Sequence, residues 1–176
     1  MKAPLSKFLL GLSLVFSTYA AAQNTSNTLS YATDKLDNHK ILLNAVNATE
    51  LGALLAKSGP FTIFAPSDAA FAEFSNNKIM ELINSEDKSA LKSLLTYHIV
   101  AGQLTASRIL RAMSRGNGKA SFTTVQGKKL MAHMDGYDIV LTDLVGNTAR
   151  ITTADLNLEN KGIVHEIDSV ILPVRM

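Results

Sequence analysis

Apolar residues recur at helical spacing in the first half of the chain. In LLNAVNATELGALLAK they fall at Leu42, Leu43, Val46, Leu51, Leu54 and Leu55, three and four residues apart, which predicts an amphipathic helix. Gly59-Pro60 ends it. Phe61 to Ala65 is a short β-rich run stopped by Pro66, after which Ser67 or Asp68 is placed to cap a new helix carrying Ala69, Ala70, Phe71 and Phe74. Ile79, Leu82 and Ile83 continue the helical spacing. So do Leu91, Leu94 and Leu95, on a helix expected to start near Ser85 or Asp87.

From Tyr97 the period changes to two. YHIV (Tyr97 to Val100), ASFTTV (Ala120 to Val125), KLMAHM (Lys129 to Met134), YDIVLTD (Tyr137 to Asp143) and TARIT (Thr148 to Thr152) read as strands. Gly116-Asn117-Gly118, Gln126-Gly127, Asp135-Gly136 and Gly146-Asn147 separate them, and Asp135-Gly136 predicts a tight hairpin turn. IVHEIDSVILP is expected to supply a final strand pair closed by Pro173. Helices followed by strands, without βαβ alternation, predict an α+β fold with a mainly antiparallel sheet. No internal repeat, low-complexity stretch or linker divides the chain, so one domain is expected.

The N-terminus carries a different pattern. Lys2 and Lys7 precede the apolar run Phe8 to Phe16, and Ala20-Ala21-Ala22 offers small residues for cleavage before Gln23. That order predicts a secretory signal peptide over residues 1–22; nine apolar residues fall short of the about 20 that span a bilayer. A polar tail over 23–28 and a folded domain over 29–174 follow. Localisation is therefore expected to be periplasmic, cell-surface or extracellular.

Removing the leader changes the charge. The chain has 17 basic and 15 acidic residues; without Lys2 and Lys7 it has 15 of each. A neutral mature chain argues against nucleic-acid binding, which needs a basic footprint. The absence of cysteine removes disulfides, thiolate metal sites and cysteine nucleophiles, and a chain of this length buries a core without them.

Candidate chemistry is sparse. His39, His98, His133 and His165 form no HxH or HxxxH pair, so no metal is expected, and His98 and His165 read as histidines that tie strand ends together. No GxSxG elbow and no glycine-rich phosphate loop occurs. The chain is read as a non-enzyme without cofactors. Arg108, Arg111, Arg115 and Lys119 form the only local basic run, at three- and four-residue spacing. It is either a solvated helix face or a contact patch for an acidic polysaccharide, lipid or protein.

Three motifs resemble the fasciclin (FAS1) domain family. TIFAPSDAAFAEF (Thr62 to Phe74) is similar to its first motif, LLTYHIVAGQLTASRIL (Leu94 to Leu110) to its Tyr-His segment, and LNLENKGIVHEIDSVILP (Leu156 to Pro173) to its second motif. TVQGK (Thr124 to Lys128) sits where the family has a hairpin. The resemblance covers Leu29 to Pro173, with the motifs in family order.

It implies a wedge built on a β-sandwich-like core of about seven mainly antiparallel strands with a layer of helices. Within it Phe64, Pro66, Ser67, Asp68, Phe71, Gly162, His165, Asp168 and Pro173 would be structural. The implied role is adhesion: binding a cell-surface or matrix protein or polysaccharide, as a monomer or weak oligomer that does not span the membrane. Animal relatives use the Tyr-His segment and an Asp-Ile pair in integrin binding. The matching positions are Tyr97-His98 and Asp155-Leu156, the second pair altered; Ala69 also departs from the family's usual acidic residue. The alternative is an envelope protein holding a lipid or sugar between helices and sheet; a hydrolase is a remote third.

Overall fold

A computed structural model describes residues 38–157 and 162–173. The expected leader (1–22), polar tail (23–28), domain start at Leu29 and polar turn at 158–161 lie outside the described residues.

The first predicted helix is two: α1 (Lys40–Ala48) and α2 (Leu51–Ser58). The Thr49 hydroxyl turns back onto the Ala45 and Val46 carbonyls, and Glu50 adopts a left-handed conformation with φ 55°. These end the hydrogen-bonded spiral without changing the apolar spacing. Next come β1 (Phe61–Pro66) and α3 (Asp68–Asn84), which bends at Ser75. Helix α4 (Ser89–Tyr97) starts where the Asp87 carboxylate accepts the Ser89 N–H.

Tyr97 and His98 are not a strand start. Tyr97 is the last residue of α4, His98 its C-cap, and β2 is only Ile99–Ala101. Both readings of this stretch bury every residue from Leu94 to Val100, so its hydrophobicity carried no period to separate helix from strand.

After β2, α5 (Ala106–Arg115) leads into β3 (Lys119–Thr123), β4 (Lys129–Asp135), β5 (Asp138–Thr142), β6 (Thr148–Asn157) and β7 (Gly162–Ile167). Strand β6 is twice the predicted length. The final strand pair is a single strand: after Ile167 the chain leaves the ladder, and residues 168–173 run as irregular backbone.

All seven strands form one sheet in the order β2-β1-β7-β6-β5-β4-β3. Only β1 and β7 pair in parallel; the other neighbours are antiparallel. The sheet curls until its edges nearly meet, joined by a bridge between Val100 and Thr124. Its two halves share β6, whose register with β7 shifts at Ile151/Thr153 and again at Thr153/Leu156. Such bulges bend a strand and sharpen its twist.

Alternation along β1 divides the core in two. Ile63 and Ala65 join Phe71, Leu91, Leu94 and Val164 in a cluster beneath the helices. Phe64 points the other way, into the curl, with Tyr97, Leu130, Leu141 and Ile167. Strands β1 and β7 are thus buried on both faces, as their near-continuous apolar runs require. Ile109 and Met113 of α5 join the inner cluster, so this helix covers the curl.

Candidate interaction site

Three groups of candidate residues occupy distinct settings. At the end of α4, Tyr97 and His98 are 0% and 2% exposed. The Tyr97 hydroxyl donates to the Lys129 carbonyl at 2.8 Å. Burial, then the charge of Asp143, push this phenol up to about 12, against an opposing backbone N–H of Leu144. Nδ1 of His98 donates to the Leu94 carbonyl at 2.9 Å, so Nε2 is the acceptor for the Ile171 N–H at 3.3 Å. Burial pushes this imidazole down to about 4, against the opposing Leu94 hydrogen bond and Asp143 charge. Neither side chain offers a surface to a partner.

Asp143 was not singled out in the sequence. It is a buried carboxylate that accepts backbone N–H groups of Val145, Asn147 and Leu172 and the Asn147 side-chain amide, all at 2.8–2.9 Å. The signal was Asp-Leu-Val-Gly-Asn, a turn in which the aspartate bonds the backbone two residues on. Together His98 and Asp143 hold the irregular segment 168–173 against the core. Asp168 secures its start, exchanging hydrogen bonds with the Arg150 backbone.

The second group gathers where β6 bulges. Asp155 adopts φ 61°, its N–H points to Nδ1 of His165 (3.3 Å), and its carboxylate accepts the Ala106 N–H at 2.8 Å. Nε2 of His165 donates to the Leu104 carbonyl at 2.7 Å, and the ring stacks on Phe64 at 5.6 Å. Burial lowers the His165 imidazole, opposed by the Leu104 hydrogen bond and the Asp155 charge. Leu156 is half-buried against the helical cluster. The bulge thus presents a carboxylate to the N-terminus of α5, which its dipole and unpaired N–H groups favour.

The third group begins there. Arg108, Arg111 and Arg115 lie on the exposed face of α5, opposite Ile109 and Met113, and Lys119 is exposed at the start of β3. The Arg108 guanidinium donates to the Gln103 carbonyl at 2.7 Å. The structure therefore joins Asp155 to the basic helix and leaves Tyr97-His98 in the core.

The structural motif residues have defined contacts. Ser67 caps α3 by accepting the Ala70 N–H, while Asp68 accepts the N–H groups of Lys40 and Ile41 and so caps α1. Pro66, Phe71 and Pro173 are buried. A groove of about 470 Å³ lies between α3 (Ala70, Glu73, Phe74), the Gly146–Thr148 turn and Ser169–Leu172. Among the described residues no three His, Asp or Glu side chains are grouped as a metal would need, and no helix is long and apolar enough to cross a membrane.

Comparison with known proteins agrees with this architecture. Protein sll1483 of Synechocystis is 31% identical over 155 residues, covering 87% of this chain and 77% of that protein. The cell surface glycolipoprotein MPB83 of Mycobacterium bovis is 33% identical over 115 residues, 65% of this chain and 44% of its own length. A FAS1 domain pair from the insect cell adhesion molecule fasciclin I superposes with a TM-score of 0.52 at 22% identity. That match covers 86% of this chain and 46% of the insect one, and it speaks for the fold alone. The fasciclin domain model matches residues 37–173, and the chain belongs to the fasciclin (FAS1) domain family.

Proposed function

We propose that the chain is an exported, non-enzymatic binding module that attaches to a cell-surface or matrix protein or polysaccharide. One observation carries this reading. The groups best suited to catalysis, His98, His165, Asp143 and Tyr97, are each committed to backbone hydrogen bonds inside the fold, while the row of cations on α5 faces solvent. Support for export comes from the leader-like order of residues 1–22 and from the similarity to a mycobacterial cell surface glycolipoprotein. Adhesion is the stated role of the insect protein whose domains share the fold. The folded unit is placed at 29–174, working as a monomer or weak oligomer.

The test is a deletion strain and the purified chain. Reduced surface attachment on deletion, with capture of a surface component by the chain, is the expected pair of results. Unchanged attachment together with no captured component would sink the reading. The groove of about 470 Å³ favours a second reading, an envelope protein that holds a small lipid or sugar. Native mass spectrometry of protein purified from its own cells would show a bound mass if that reading is right, and only the bare chain if it is wrong.

A further inference from the structure

The carboxylates of this chain are unevenly placed. Between Asp87 and Asp135 there is no Asp or Glu, while the same stretch holds Lys88, Lys92, Arg108, Arg111, Arg115, Lys119, Lys128 and Lys129. A chain neutral after leader removal therefore gathers over half its mature cations, and none of its acids, into residues 88–134, the stretch that carries α4, β2, α5, β3 and all of β4 but its last residue, Asp135.

The fold keeps these elements together. β3 pairs with β4 along its whole length, and the turn between them packs on α4 through the Gln126 N–H to the Thr96 carbonyl. Edge strand β2 meets the hairpin at Val100–Thr124. Helix α5 runs straight into β3 through a turn in which the Lys119 N–H returns to Gly116. Cations thus stand at both ends of the β3–β4 hairpin. Arg108, Arg111 and Arg115 extend the row along α5 for roughly 10 Å, at about 1.5 Å rise per residue. Among the described residues none of these cations forms an ion pair; both ion pairs belong to Arg150, with Asp135 and Asp138.

At one end of this surface stands Tyr137, fully exposed at the tip of the β4–β5 hairpin. The register Lys119↔His133 and Asp135↔Asp138 puts the tip beyond Lys119, on the side of the α5 C-terminus, roughly 10 Å along the strand. The two carboxylates flanking the tip both pair with Arg150, whose single positive charge offsets half of theirs.

We propose that this cation-rich face, from the exposed side of α5 to Tyr137, binds an extended anionic polysaccharide, deepening the binding-module reading on which it rests. Guanidinium groups in a row suit repeated carboxylates or sulfates, which they take in bidentate pairs. An exposed aromatic ring offers a flat apolar platform with a polar tip to a sugar ring. A lipid surface fits less well: binding flat on a bilayer needs an apolar helix face to bury, and Ile109 and Met113 of α5 are already in the core.

The test measures binding of the full chain to immobilised heparin and polygalacturonate, with neutral dextran, phosphatidylglycerol vesicles and duplex DNA alongside. Binding to both polyanions that weakens with salt, with none to dextran, is expected. In the R111Q/R115Q/K119Q variant, whose fold is checked by circular dichroism, affinity should fall roughly tenfold or more, since each cation near an anionic surface contributes measurably. Y137A should weaken polysaccharide binding without changing its salt dependence. Unchanged polyanion binding in the triple variant, or stronger binding to vesicles or DNA, would overturn the proposal. Cell attachment separates it from the broader reading: attachment kept by the triple variant but lost on deletion removes this site alone, whereas attachment that survives deletion removes the module itself.

Discussion

Nε2 of His98 accepts the backbone N–H of Ile171 at 3.3 Å, across 73 positions of sequence. The ring can do so only while neutral, because Nδ1 already donates to the Leu94 carbonyl. A group in the family's Tyr-His segment is thereby the peg that fixes the last stretch of the domain.

Acid should pull that peg. The folded-state value near 4 lies below the ordinary 6.5 of histidine, so as pH falls the unfolded chain takes up the proton first. The stabilisation is complete above pH 6.5 and is lost as pH drops through 4, amounting to on the order of 3 kcal/mol. His165 is shifted in the same direction and adds to the slope. Urea unfolding at steps from pH 7.5 to 4 should show a falling midpoint, and His98→Gln should flatten the fall. An unaltered slope in that variant would assign the acid sensitivity to other groups.

Asp68 should matter more than a residue inside one motif. Its carboxylate accepts the Ile41 N–H at 2.8 Å and the Lys40 N–H at 3.2 Å, and its own N–H bonds the Asn38 carbonyl. It therefore joins the first turns of α1 and α3. Asp68→Ala removes a cap at about 1–2 kcal/mol, whereas Asp68→Asn keeps one acceptor and should cost less. Thermal melts of the two variants would check the order.

Local signals in the sequence located these elements well where a side chain acts on its own neighbours. Ser67 caps the helix it precedes, the Asp135-Gly136 signal falls at the β4–β5 hairpin, where Asp135 pairs with Asp138 around the turn Gly136-Tyr137, and alternation in KLMAHM marks β4. What escaped depends on distant partners. The parallel pairing of Phe64 with His165 joins residues a hundred apart, and no local pattern encodes it. Asp68 reads as a cap for α3, yet its carboxylate serves α1, 27 residues back. Tyr97-His98 resembles a contact motif by analogy, but its apolar surroundings made it core. The three- and four-residue spacing of Arg108, Arg111 and Arg115 does mark one helix, while Lys119 falls in β3, and the bulge that brings Asp155 to the helix N-terminus was invisible because φ 61° in an aspartate has no compositional mark.

Gly162 opens β7 opposite Phe61. A Cβ added there would lie 2.3 Å from the Phe61 carbonyl oxygen, a backbone atom that cannot swing aside. Gly162→Ala should force β1 and β7 apart at the one parallel joint in the sheet, costing about 1–3 kcal/mol as overpacking does. Urea denaturation would measure it. A variant as stable as the parent would mean that the strand end slides freely.

The sharpest structural test concerns Asp155. Its carboxylate takes the Ala106 N–H, and Thr105 takes the Arg108 N–H, so two N-terminal donors of α5 are satisfied by different side chains. Removing the carboxylate leaves one donor to water and withdraws a negative charge from the positive end of the helix, together about 1 kcal/mol. Asp155→Ala should therefore loosen the first turn of α5. Hydrogen exchange would show it as faster amide exchange near Ala106 and Arg108, with β4 and β5 unchanged. Asp155→Asn, which keeps an acceptor oxygen and tolerates a left-handed backbone, should restore most of the protection. If Asn and Ala behaved alike, the charge would outweigh the hydrogen bond, and raising the salt concentration would then loosen the same turn in the unmodified chain.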